Sequence, residues 1–154
     1  MKLRFILFLF LLLMVTSCNK NSNHPVPNIP FDITINMTLP SYSALNGVGG
    51  YAFVNGGSKG IIVYRRGIDD FVAFDRHSPA DIAGSCAQPL TPDDDNFLVL
   101  IDSCNNASFS LYDGSPISNS DFGLRMYATA WNGNESLRIF NWLLSSHKFF
   151  KWKK

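Results

Sequence analysis

Cysteine is scarce in this chain: Cys18, Cys86 and Cys104 are the only three in 154 residues. No phosphate loop or His-Glu-x-x-His pair occurs, and Gly56-Gly57-Ser58-Lys59-Gly60, which spells Gly-x-Ser-x-Gly, is a turn between two strand runs with no helix after it, so the common frames for hydrolytic and nucleotide chemistry are missing. No basic stripe runs through the body of the chain, which argues against nucleic acid as a partner. There is no internal repeat and no amphipathic helical pattern. The one long apolar run, Phe5 to Val15, is too short to cross a bilayer.

That run sits in an informative place. Lys2 and Arg4 precede it, and Val15-Thr16-Ser17-Cys18 follows it. A positive start, an apolar stretch and small residues before a cysteine describe a lipoprotein signal peptide over residues 1–17, with Cys18 as the acylated first residue of the mature chain. Export by this route predicts a membrane contact through lipid on Cys18 and a place in the cell envelope. Asn19 follows the cysteine where an aspartate would mark inner-membrane retention in some bacteria, so the outer membrane or the periplasmic face is expected. The polar stretch to Pro30, with Pro25 and Pro27, reads as a flexible tether over residues 18–30.

The mature chain of about 137 residues suffices for one domain and one core. Lys2 and Arg4 leave with the signal, which turns the formal charge from +1 to −1. Lys148, Lys151, Lys153 and Lys154 crowd the C-terminus, so the body of the chain is acidic. Residues 142–154 mix these lysines with Trp142, Phe149, Phe150 and Trp152. Such a tail either lies on an anionic membrane surface or extends loosely from the domain.

From Phe31 onward the periodicity is that of strands. Phe31–Met37 alternates apolar and polar residues, and Gly49–Val54, Gly60–Arg65 and Phe71–Asp75 follow, the last two as a hairpin around Arg66–Asp70. Residues 76–96 carry Pro79, Pro89 and Pro92 and read as loop, with Asp93-Asp94-Asp95 as a solvated turn lacking the spaced ligands of a calcium loop. Phe97–Ile101 and Ser108–Tyr112 are further strands. Leu124–Trp131 and Leu137–Asn141 form a last hairpin whose Asn132-Gly133 suits a two-residue turn. Eight or nine short strands make an all-β domain of stacked antiparallel sheets. Phe53, Val63, Phe71, Phe74, Phe97, Val99, Phe109, Tyr127 and Phe140 are its expected core, each worth roughly 1.5–3 kcal/mol when buried. Cys86 and Cys104 either form a disulfide, worth roughly 3 kcal/mol by chain entropy, or remain two thiols that never meet.

From Gly49 to Asn141 the order of motifs resembles the Rieske-type iron–sulfur fold, and most closely small Rieske-like lipoproteins of Bacteroidetes-type bacteria. The likeness rests on Val48-Gly49-Gly50, Gly60–Arg65, Phe71–Arg76, Phe109–Ile117, Leu124–Tyr127 and Leu137–Asn141. It implies a Rieske-like β domain over residues 31–141 and, in members that carry a [2Fe-2S] cluster, two cysteines and two histidines on facing loops. In the first box this chain has Ser78 and Ala80. In the second, Asp102 and Asn105 fall at the ligand positions, and shifting the register brings in Cys104 alone. The resemblance therefore implies a frame without its cluster, with Ser78, Ala80, Cys104 and Asn105 gathered at one tip of the sheet and no convergent donor set.

His77, Cys86 and Cys104 are the remaining candidates for a metal, though without a fixed spacing. As a nucleophile, Cys104 is disfavoured by nearby Asp102, whose charge opposes thiolate formation, and only His77 could serve it as a base. The expected function is a non-catalytic binding or scaffold module with an envelope protein as partner and no cofactor. The alternative is a 2Fe-2S electron-transfer protein with atypical ligands.

Overall fold

A computed structural model describes residues 23–141. The expected signal peptide over residues 1–17, Cys18 with the first residues of the expected tether, and the segment 142–154 lie outside the described residues. Ten strands and one short 3-10 helix are arranged as two antiparallel sheets. The larger takes β1 (Phe31–Asn36), β2 (Tyr51–Val54), β3 (Ile61–Arg65), β4 (Phe71–Asp75), β9 (Met126–Trp131) and β10 (Ser136–Asn141), in the spatial order β1-β10-β9-β4-β3-β2. The smaller runs β5-β6-β7-β8, from β5 (Thr91–Pro92), β6 (Val99–Asp102), β7 (Ala107–Ser110) and β8 (Pro116–Ser118). The fold is all-β.

The two central strands explain the architecture. Every residue of β3 and β4 is buried, which is why both read as nearly unbroken apolar runs rather than alternating ones. Side chains alternate across a strand, so each face needs its own cover. On one face Ile61, Val63, Phe71 and Ala73 pack with Ile35, Leu45, Tyr127, Leu137 and Ile139 inside the curl of the larger sheet. On the other, Ile62, Tyr64, Val72 and Phe74 meet Leu90, Leu100, Phe109 and Leu111 beneath the smaller sheet. Gly114 lies against the second cluster at φ +76°, and a Cβ there would stand 2.5 Å from Phe74 Cε1. Only glycine fits that turn.

Several expectations are corrected. Phe53 and Phe97 are 44% and 42% exposed, and Val99 and Phe140 are only half-buried. Phe53 faces out because β2 is the sheet's edge strand and has no further neighbour. The residues from His24 to Pro30, read as tether, are docked. Val26 is fully buried, its carbonyl accepts from Arg125 Nε at 2.9 Å, and His24 Nε2 pairs with the Gly123 carbonyl at 3.0 Å. Pro40–Asn46 forms the 3-10 helix, which buries Leu45. In the last hairpin the backbone closes between Asn132 and Ser136, so the loop is longer than two residues, and Asn132 Oδ1 accepts from the Asn134 and Ser136 amides. Strands β5 and β8 are too short to show a period.

Candidate functional site

The ends of β4 and β6 carry buried aspartates, and around them the β2–β3, β4–β5 and β6–β7 loops form one polar tip. Asp75, the last residue of β4, is fully buried without a cation. Amides satisfy it instead: Ser58 N donates at 2.6 Å, His77 N at 2.7 Å and Lys59 N at 3.2 Å, while the Tyr127 hydroxyl donates from β9. Burial, then the hydrogen bond to Asp75 and its charge, push the Tyr127 hydroxyl far above its ordinary value, so Tyr127 stays a donor. Gly57 makes room for this cluster, since its φ is +62° and a Cβ there would press on the Asp75 carboxylate.

His77 is buried beside it. Its Nδ1 lies 2.7 Å from Ser58 Oγ, and its Nε2 lies 3.7 Å from Asp81 Oδ2. Burial, followed by the charge of Lys59, lowers the imidazole below the ordinary histidine value, so it is neutral near pH 7. Asp81 bonds to Lys59 Nζ at 3.0 Å and to the amides of Ser85 and Cys86 at 2.9 and 3.1 Å. Burial raises its carboxyl, but the Lys59 and amide bonds outweigh that and leave it lowered.

Serine, histidine and aspartate in contact suggest nucleophilic catalysis, but the arrangement lacks what that chemistry requires. An acyl-transfer site needs backbone donors free to receive a developing oxyanion. The amides of Ser58, Lys59 and His77 are all directed at Asp75. Asp81 is outside hydrogen-bond distance of His77 and is engaged by Lys59. The constellation is a satisfied polar plug that ties the β2–β3 turn to the β4–β5 loop. Among the described residues no buried side-chain nitrogen or oxygen lacks a hydrogen-bond partner.

The expected ligand positions meet a short way along the loops. The Ser78 hydroxyl accepts from Ala80 N at 3.2 Å and stands near enough to Asp102 to lower its carboxyl. Asp102 also accepts from Cys104 N at 2.9 Å, Asn105 N at 3.1 Å and Asn105 Nδ2 at 2.9 Å. Burial raises the Asp102 carboxyl, but the nearby Ser78 hydroxyl and then the Asn105 and Cys104 bonds more than reverse it and keep it ionised. Cys86 and Cys104 are joined as a disulfide, with Cα atoms 6.0 Å apart. The staple ties the β4–β5 loop to the β6–β7 loop.

A [2Fe-2S] cluster does not fit these residues. Its iron would need thiolates and imidazoles at four positions. Ala80 has no donor atom, Ser78 offers only a hydroxyl, and Asp102 and Asn105 bring neither thiolate nor imidazole and bond to each other. His77 is turned toward Ser58 and Asp81, away from that set. The expectation that no donors converge here needs one correction: Cys86 Sγ, Cys104 Sγ and an Asp102 carboxylate oxygen lie within 4.8 Å of one another.

Beside the tip, Pro79, Ala80, Ile82 and Phe122 line an open groove of about 340 Å³ with Asn119, Ser120 and Asp121 at its polar side. Its size is at the lower end of the range for small-ligand sites. Reading the sequence did not single out Ser58, Lys59, Asp75 or Asp81. The available signals were the Gly-x-Ser-x-Gly match at Gly56–Gly60 and an aspartate closing an otherwise apolar strand opposite that turn. No family model matches the chain, and neither a curated protein nor a solved structure matches it significantly.

Proposed function

We propose that this chain is a lipid-anchored, cluster-free Rieske-like domain that serves as a non-catalytic binding module of the cell envelope. One observation carries the reading. At the places where the resemblance puts iron ligands, Asp102 and Asn105 are hydrogen-bonded to each other, Ser78 stands near Asp102 on the facing loop, and Ala80 lies on the groove wall. The polar side chains at these positions hold the loops and supply no thiolate or imidazole for a cluster. What remains outward is shape: a groove with an apolar wall and one carboxylate, suited to part of a partner protein. Attachment rests on the sequence before Cys18, since acylation at that residue would hold the domain at a membrane surface.

Two measurements test the two halves. Protein expressed with its signal in a bacterial host and recovered from the envelope is expected to partition with membranes and to move to the soluble fraction on Cys18→Ser. Equal partitioning of the two forms would remove the anchor. Protein lacking residues 1–18 and purified without oxygen is expected to be colourless and free of stoichiometric iron. Visible absorbance with iron at a fixed ratio to protein would replace this reading with electron transfer.

A further inference from the structure

The two sulfurs at the tip have a second arrangement within reach. Cys86, Asp102 and Cys104 bring their donor atoms within 4.8 Å of one another from two separate loops. While the disulfide stands, both sulfurs are spent. A dithiol reductant would supply two electrons and two protons, leaving two thiols here and closing its own disulfide in return. A thiophilic divalent cation holds sulfur at about 2.3 Å and carboxylate oxygen at about 2.0–2.2 Å, which places two thiolates of one tetrahedron about 3.8 Å apart. Cα atoms 6.0 Å apart allow that separation without moving the loops.

The surroundings suit such an ion. Asp102 is buried, the amides of Cys104 and Asn105 hold its Oδ1 as outer hydrogen bonds commonly do for metal ligands, and Oδ2, which accepts from Asn105 Nδ2, keeps a further lone pair for an ion. Cys104 is exposed and Cys86 is buried, so the site opens to solvent on one side only. That side admits the reductant and the cation, and it leaves a coordination position for water.

We propose that reduction of the Cys86–Cys104 bond converts the staple into a site for a zinc-like divalent cation, held by both thiolates and the Asp102 carboxylate. Binding releases the two thiol protons to solvent. The ion then restores the cross-link between the β4–β5 and β6–β7 loops that reduction removed. The tip is thus closed by a disulfide under oxidising conditions and by a metal under reducing ones.

Cobalt(II) titration of the whole chain, reduced with a phosphine under nitrogen, reads this directly. One equivalent is expected to raise a thiolate-to-cobalt charge-transfer band, zinc is expected to bleach it, and the oxidised protein is expected to show none. Asp102→Asn should weaken cobalt binding at least tenfold, and Cys104→Ser, at an exposed position, should lower the band to that of a single thiolate. Near-ultraviolet circular dichroism in the same samples reports whether the fold persists. A folded, reduced protein with no band would overturn the proposal. So would a band indifferent to Asp102→Asn, or one that appears only after the dichroism signal is lost.

Discussion

Strand β4 and the loop it runs into are neighbours in sequence and are held by unlike forces. Phe71–Phe74 is enclosed on both faces by hydrocarbon. From Asp75 onward the chain is fixed by carboxylates, amides and one covalent bond. Burial of apolar surface is non-directional and scales with area, whereas a polar network depends on every partner being in place. The frame and the tip should therefore fail separately. Phe74→Ala attacks the frame at a fully buried position, and it is expected to lower the unfolding free energy by about 3–5 kcal/mol. Urea denaturation checks this. An unchanged midpoint would mean that the assignment of faces in β4 is wrong.

Cutting the staple is the corresponding attack on the tip. The disulfide joins residues 18 apart in sequence, and replacing both cysteines by serine should cost about 3 kcal/mol. The loss should be regional. Amide hydrogen exchange is expected to speed up across residues 76–90 and 102–106, while β3 and β4 remain the slowest-exchanging segments. Uniform acceleration would mean that frame and tip form one cooperative unit, and the comparison would break.

The same division governs what could be read from the sequence. Ile61–Arg65 and Phe71–Asp75 are legible because a doubly covered strand must be apolar on both faces, and that pattern is local. Strands β5 and β8, of two and three residues, leave no period to read. Val26 looked like part of a tether because the residue that bonds its carbonyl, Arg125, lies 99 residues away. The approach of Ser78 to Asp102 is likewise a product of loops meeting, which spacing does not encode. Both residues could be named as degenerate ligand positions by the resemblance, but not as partners. Cys86 and Cys104 were left open between disulfide and free thiols for the same reason.

Acid sharpens the contrast, because it charges histidines that burial holds neutral and leaves the hydrocarbon of the frame unchanged. His77 is held below the ordinary histidine value by burial and then by Lys59, and His24 by burial foremost. A histidine whose folded pKa is lowered binds protons less readily in the folded state than in the unfolded one. Its contribution to stability is therefore complete above the unfolded value of about 6.5 and is lost as the pH falls from there toward the folded value. Asp81 and Asp102, lowered from 3.8, begin to lose theirs only in more acid solution. Melting temperature should accordingly fall between pH 7.5 and pH 5, and less steeply in the His77→Gln variant. A rise toward pH 5, or identical slopes in the two proteins, would show that His77 is not excluded from protonation by its surroundings.

The smallest effect is expected where the sequence reading most overstated burial. Phe53 alternates correctly with Ala52 and Val54, but it lies on an edge strand and is 44% exposed. Its ring touches Tyr51, and the Arg76 guanidinium sits 4.0 Å from its centroid. A partly exposed contact of that kind is worth about 0.5–1 kcal/mol, and the hydrocarbon lost to solvent was never fully removed from it. Phe53→Ser should thus cost about 1 kcal/mol, well below Phe74→Ala in the same urea assay. Equal costs at the two positions would mean that something covers the β2 edge in solution, and Phe53 would then belong to the frame after all.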